Sequence, residues 1–294
     1  MLDMKPAPDG VQTEITFASG EAELSGTLFL PPAAAEVPPR AAVVLNSATA
    51  IPQGYYRHFA AWLAREQGIA CLTYDYRDFG RSARAHPRGS SATMADWGVL
   101  DQPAARAEMR RRLPGVPLWV IGHSLGGMVL PLQEGTDDIE RVICVASGMV
   151  NVRDHPWPYQ GLARTFWFGH VPVVVRTLGY LPGWLSGFGV DLPGPVYWQW
   201  RKWCTAREFY RPEIGVTLPP AQWRQGGNRV EMIALSDDQV CPEISVHRLA
   251  SLFGPGEAEV RVLAPAEAGL ESVGHLGAFT RQNAAIWPLL IRDR

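Results

Sequence analysis

The sequence predicts an α/β protein: a mostly parallel central sheet flanked by helices, carrying an inserted helical segment rich in tryptophan. Three observations carry this reading. Short apolar runs recur with helical stretches between them, a serine between two glycines directly follows one of those runs, and a cluster of tryptophans occupies the one segment that breaks the rhythm. At 294 residues the chain is long enough to bury a full-sized core.

The strand-like runs are Glu23 to Leu30, Ala41 to Leu45, Ala70 to Tyr74, Leu118 to Ile121, Val142 to Ala146, Val230 to Leu235 and Val260 to Leu263. Near-continuous apolar runs of this kind fit strands covered on both faces. Between the second and third, Tyr56, Phe59, Ala60 and Leu63 fall at i, i+3, i+4, i+7, one buried helix face, and Gly68 ends that helix. Asp101 is expected to cap the next helix, which runs through Ala105 and Met109 to Leu113 before Pro114-Gly115 breaks it.

Residues 151–211 depart from this alternation and hold six of the eleven tryptophans: Trp157, Trp167, Trp184, Trp198, Trp200 and Trp203. The expected organisation is therefore a core domain formed by 1–150 and 212–294 with 151–211 as an inserted cap. Tryptophans are large and costly to expose, so together they predict an apolar, partly aromatic pocket roof, although any single one is expected to serve packing. Scattered glycines in the insertion permit lid motion without demonstrating it.

A formal net charge of −2 gives no electrostatic footprint for nucleic acid or for an anionic membrane. The basic cluster Arg110-Arg111-Arg112 reads as a solvated helix end, where cations suit the helix dipole. Cys71, Cys144, Cys204 and Cys241 are widely spaced, so buried thiols are expected rather than a disulfide framework. Met1 to Gly10 has no basic stretch followed by an apolar one, which leaves cytoplasmic residence as the expectation, and no apolar run approaches the ~20 residues of a membrane span. No His, Cys or carboxylate cluster has metal-ligand spacing and no phosphate cradle is visible, so neither a metal nor a cofactor is expected.

Gly122-His123-Ser124-Leu125-Gly126-Gly127 follows the run Leu118 to Ile121 and has the form of a nucleophile elbow. A strand that turns sharply into a helix leaves the turn residue strained, and glycines two before and two after remove side chains that would clash there. The helix then aims free N–H groups at the reaction centre. A serine hydroxyl is a weak nucleophile near neutrality, so it needs a base, and the base needs a third group to orient it. Ser236-Asp237-Asp238-Gln239-Val240-Cys241-Pro242 follows a strand, and Gly274-His275 lies in a loop after the last one. Serine, acid, histidine is the chain order this architecture requires.

These motifs resemble those of the α/β-hydrolase-fold serine hydrolases, from about Glu23 to the C-terminus. Similar proteins share the elbow, an Asp-x-Val/Ile-x-Pro pattern after the acid's strand, a Gly-His near the end, and a loop like Asp75-Tyr76-Arg77-Asp78-Phe79-Gly80-Arg81-Ser82. The resemblance implies Ser124 as nucleophile, His275 as base and Asp238 as the acid, with Asp237 as the alternative. His123, inside the elbow, is expected to be a packed or hydrogen-bonded core residue. His58 and His247 fall on helices, and His86, His155 and His170 in loops or the insertion, with surface or packing roles expected ahead of substrate contact.

The oxyanion hole is expected to use the backbone N–H of Leu125 and a second N–H from Asn46-Ser47-Ala48-Thr49, assigned to Ala48 with Thr49 close behind. Relatives commonly place His-Gly in that loop, and Asp78 stands where they have glycine. Pro131 is expected to bend the helix after the elbow. The activity so implied is hydrolysis of an ester or thioester of a small, largely apolar molecule through an acyl-enzyme. An acyltransferase, a peptidase or amidase, and a non-catalytic binding protein stand as alternatives, and oligomeric state is not legible. Arg153, Arg164, Arg176 and Arg201 are expected at the surface rather than on a substrate carboxylate.

Overall fold

The structure, a computed structural model, describes residues 11–292 except 33, 35, 188, 224–228 and 255. The Met1–Gly10 segment lies outside the described residues. In chain order the strands are β1 (Val11–Ser19), β2 (Ala22–Leu30), β3 (Ala41–Asn46), β4 (Ile69–Tyr74), β5 (Leu118–His123), β6 (Ile139–Val145), β7 (Tyr180–Leu181), β8 (Leu192–Pro193), β9 (Arg229–Leu235) and β10 (Ala258–Leu263). Eight form one sheet in the order β1-β2-β4-β3-β5-β6-β9-β10, antiparallel at β1-β2 and β2-β4 and parallel from β4 onward. Every residue of β3, β4 and β5 is buried, which is why these strands read as unbroken apolar runs.

β1 was not among the expected strands. Its signal is the alternation of buried Ile15 and Phe17 with exposed neighbours, ending in a tight turn in which Gly20 has φ +60°. The helix Arg57–Glu66 buries Phe59, Ala60 and Leu63 as its periodicity requires. Asp101 departs from expectation: the chain is already helical from Met94, where Thr93 and Asp96 form a capping box, and Asp101 makes no cap. Its buried carboxylate instead accepts from the Arg77 N–H, from the Arg77 guanidinium and from Ser19 Oγ, tying the β4 loop to β1. All four cysteines are buried and free.

Two crossovers place the site. From β3 the chain moves to one side to form β4 and then returns to the other side to form β5, so the carboxyl ends of β3 and β5 face a crevice at the point where winding reverses. Asn46, last in β3, is in register with Gly122, two residues before Ser124. Residues 151–211 contain the helices Tyr159–Phe168, Val171–Leu178, Gly183–Ser186 and Gly194–Thr205 and the ribbon β7-β8. The start and end of this helical run are fastened together, Val152 N–H to the Cys204 carbonyl at 2.8 Å and Asn151 Nδ2 to the Ala206 carbonyl at 2.7 Å. Among the described residues no helix is long and apolar enough to cross a membrane.

Candidate active site

Ser124 sits at φ +53°, ψ −114°, a conformation that costs a non-glycine residue about 1–3 kcal/mol and persists only where the surroundings enforce it. Its N–H donates to the Val145 carbonyl at 3.0 Å, and its own carbonyl accepts from Gly127 N–H at 3.2 Å. The flanking glycines are required by close approach. A Cβ on Gly122 would lie 2.5 Å from the backbone of Gly126 and Gly127, and one on Gly126 would lie 2.1 Å from the Asn46 carbonyl oxygen. The helix that follows is a single turn, Leu125–Met128, succeeded by a 3₁₀ turn around Pro131. Pro131, expected to bend a longer helix, instead stands just beyond its end, because it has no N–H to offer Gly127.

His275 Nε2 lies 3.1 Å from Ser124 Oγ, and His275 Nδ1 lies 2.7 Å from Asp238 Oδ2. Asp238 Oδ1 accepts from the N–H groups of Val240 and Cys241 at 2.7 and 2.9 Å. Burial works to push the Asp238 carboxyl up, but the His275 charge and hydrogen bond together with those two N–H groups outweigh it and hold the group below its ordinary value. Asp237, the alternative acid, does something else: its Oδ2 accepts from Val273 and Gly274 N–H at 2.7 and 3.0 Å, fixing the loop that presents His275.

The loop expected to supply the second oxyanion donor departs from expectation at Ala48, whose N–H is already given to the Tyr56 hydroxyl at 2.9 Å and is not free. Among the described residues no hydrogen bond engages the N–H of Leu125 or of Thr49, and Thr49 lines the same cavity as Ser124. Asn46 donates from Nδ2 to the Gly126 carbonyl at 3.2 Å and accepts from Tyr74 Oη at 2.7 Å, so it braces the Ser124 turn from β3.

The Asp75–Ser82 loop is structural. Buried Asp75 accepts from Gln53 N–H and Arg81 N–H at 2.7 and 2.9 Å, and Ser82 Oγ donates to the Asp75 carbonyl at 2.6 Å. Asp78 tolerates φ +57° where relatives use glycine, with its carboxylate held by Ser90 Oγ at 2.6 Å.

Ser124 and His275 open into a cavity of about 620 Å³ whose lining includes Leu162, Phe166, Trp167, Leu185, Trp200 and Phe209. Two of the six tryptophans of residues 151–211 therefore line the cavity, whereas Trp157 and Trp184 are 71% and 77% exposed and buried Trp203 hydrogen-bonds Glu213. Among the described residues no aspartate or glutamate lines the cavity, and neither do Arg153, Arg164, Arg176 or Arg201. His155 does line it, which its position in the sequence gave little reason to expect. Its Nδ1 lies 3.0 Å from the Gln239 carbonyl, so that nitrogen carries the proton, and burial holds the ring below its ordinary value. No group of His, Cys, Asp and Glu side chains among the described residues could hold a metal ion.

Residues 37–179 match the family described as serine aminopeptidase, S33, a span that includes Ser124 but neither Asp238 nor His275. No curated protein sequence matches the chain. Among solved structures, the esterase EaEST of Exiguobacterium antarcticum superposes with a TM-score of 0.60 at 14% identity, covering 95% of this chain and 98% of that one. Est1E of Butyrivibrio proteoclasticus, solved with ferulic acid bound, gives 0.54 at 13% identity over 94% and 96% of the two chains. XC6422 of Xanthomonas campestris, described as an α/β serine hydrolase without lid, gives 0.53 at 14% identity over 98% and 97%. Sheet order, crossover point and these likenesses agree, and the chain has the α/β-hydrolase fold.

Proposed function

We propose that the protein is a serine hydrolase that cleaves a carboxylic ester or thioester of a small, largely apolar molecule. The carrying observation is the continuous contact Ser124 Oγ, His275 Nε2, His275 Nδ1, Asp238 Oδ2 at 3.1 and 2.7 Å. In this reading Asp238 holds the proton of His275 on Nδ1, leaving Nε2 bare to take the proton of Ser124 Oγ as that oxygen attacks the substrate carbonyl. The N–H groups of Leu125 and Thr49 receive the oxyanion. The tetrahedral intermediate collapses as His275 returns the proton to the leaving oxygen or sulfur, and water activated by the same imidazole releases the acid and regenerates Ser124. The helical insertion, residues 151–211, acts as the cap whose apolar walls hold the substrate.

The match to an aminopeptidase family makes peptide hydrolysis the reading to be separated from this one. An aminopeptidase must hold a cationic α-amine, and burying that charge without an anionic partner is costly. The lack of a carboxylate among the described lining residues favours an uncharged substrate. Parallel assays with p-nitrophenyl esters of C2 to C12 acids and with aminoacyl p-nitroanilides decide the matter. Turnover of esters with an optimum at an intermediate chain length supports the proposal, and turnover of the anilides alone would overturn it.

A further inference from the structure

His123, the elbow residue between Gly122 and Ser124, plays no part in the chemistry above, yet three loops meet on its side chain. It is fully buried, with its ring 5.3 Å from that of His275 and 5.0 Å from that of Phe279. Its Nε2 lies 2.9 Å from the backbone oxygen of His275. A carbonyl oxygen only accepts, so Nε2 carries the proton. Burial pushes the imidazole down to about 3, which keeps the ring neutral and leaves Nδ1 as an acceptor. The atom facing Nδ1 is Tyr56 Oη at 2.8 Å, and that oxygen in turn accepts the Ala48 N–H at 2.9 Å.

Every donor in this chain is thereby assigned: Ala48 N–H to Tyr56, Tyr56 O–H to His123, His123 Nε2–H to the carbonyl of His275. The adjacent Tyr55 donates its hydroxyl to the Leu276 carbonyl, so one 3₁₀ turn, Gln53–Tyr56, grips the histidine loop through both tyrosines. The two imidazoles must hold opposite tautomers, His123 protonated on Nε2 and His275 on Nδ1 toward Asp238. Packing alone asks for none of this, since a phenyl ring would keep the ring contacts with Tyr56 and Phe279.

We propose that His123 and Tyr56 are positioning residues that lock the backbone of His275 and the Ala48–Thr49 loop into one register about Ser124. The carbonyl they hold belongs to the residue that bears the imidazole, so a shift there swings Nε2 away from Ser124 Oγ. The same tyrosine fixes the loop whose next residue supplies the second oxyanion N–H. The inference rests on the Ser124–His275 reading of the site.

The test uses the full chain and its His123→Phe and Tyr56→Phe variants, each assayed for p-nitrophenyl butyrate turnover and for the rate at which a fluorophosphonate labels Ser124. Misplacement on the order of an ångström lowers rates by up to about a hundredfold. The expected result is a fall in kcat of roughly 10- to 100-fold in folded variants, with KM within about twofold and labelling slowed in parallel. A purely structural role would lower the melting temperature and leave kcat per folded molecule unchanged, and that result overturns the proposal. If His123→Phe does not fold, Tyr56→Phe and the ¹⁵N spectrum of the unaltered protein decide. That spectrum must contain a neutral imidazole protonated on Nε2 that does not titrate between pH 5 and 8, and its absence also overturns the proposal. Absence of Ser124-dependent labelling in the unaltered protein would instead sink the reading of the site on which the proposal rests.

Discussion

Asp238 Oδ2 meets His275 Nδ1 at 2.7 Å, while the preceding carboxylate, Asp237, accepts the N–H groups of Val273 and Gly274 just upstream of that histidine. Two adjacent acids thus serve one histidine, one through its ring and one through the backbone of the two residues before it. Asp238→Asn keeps the shape but presents an amide to Nδ1, and is expected to lower kcat by about 10³–10⁴. Asp237→Asn keeps an amide oxygen that can accept the same two N–H groups but removes their charge assistance, worth about 1 kcal/mol, and is expected to act on stability more than on kcat. Steady-state kinetics beside chemical denaturation separate the two, and equal losses of kcat would contradict this division.

Stability should fall on the acid side of neutrality through His123. The folded protein holds this ring neutral, with its value pushed down to about 3, whereas the unfolded chain protonates it near its ordinary 6.5. Its contribution is therefore fully present above pH 6.5 and lost as pH falls toward 3, at about 1.4 kcal/mol per pH unit for one proton. His155, also lowered by burial, adds in the same direction. In a folded His123→Phe variant the slope of unfolding free energy against pH between 4 and 6 should drop by about that amount.

The two kinds of glycine in this chain should respond differently to alanine. A Cβ at Gly126 would lie 2.1 Å from the Asn46 carbonyl oxygen, and relief requires β3 and the elbow to separate. Gly126→Ala is expected to cost about 3 kcal/mol or more, appearing as insoluble or thermally labile protein. Gly135 has φ +62° with nothing within 4 Å of an added Cβ, so Gly135→Ala bears only the strain of its backbone, about 1–2 kcal/mol. Melting temperatures of the pair check the ranking.

The cavity wall should set acyl-chain preference. Trp200 lines the pocket and is half-buried, so Trp200→Ala opens volume without emptying the main core. Each methylene that gains contact is worth about 0.8 kcal/mol, or roughly fourfold in kcat/KM. The p-nitrophenyl ester optimum is expected to move at least two carbons longer in this variant, and an unmoved optimum would place the acyl group elsewhere.

Most of the sheet was legible because buried parallel strands leave continuous apolar runs, and the ends of each expected run fall within three residues of those of a strand. β1 escaped because a half-exposed edge strand carries only alternation, here Ile15, Phe17 and Ser19 buried between exposed neighbours. Ser124, Asp238 and His275, remote in sequence, lie within hydrogen-bond contact, and the glycines and loop motifs around them are what made them readable. The second oxyanion donor was not readable, because which N–H is free depends on where a tyrosine eight residues away places its hydroxyl. Asp101 was misread for a related reason: an acid before a helix looks like a cap, and only the fold brings Arg77 and Ser19 to it. His155 likewise reaches the cavity through the path of the chain after β6, which carries no local signal.

The most direct measurement is labelling of the purified protein by a fluorophosphonate, with Ser124→Ala beside it and ester turnover followed in both. The account predicts stoichiometric labelling of the unaltered protein, none in the variant, and a fall in turnover of about 10³-fold or more. A well-folded Ser124→Ala protein that still hydrolyses esters at the original rate, or an unaltered protein that never reacts, would contradict it.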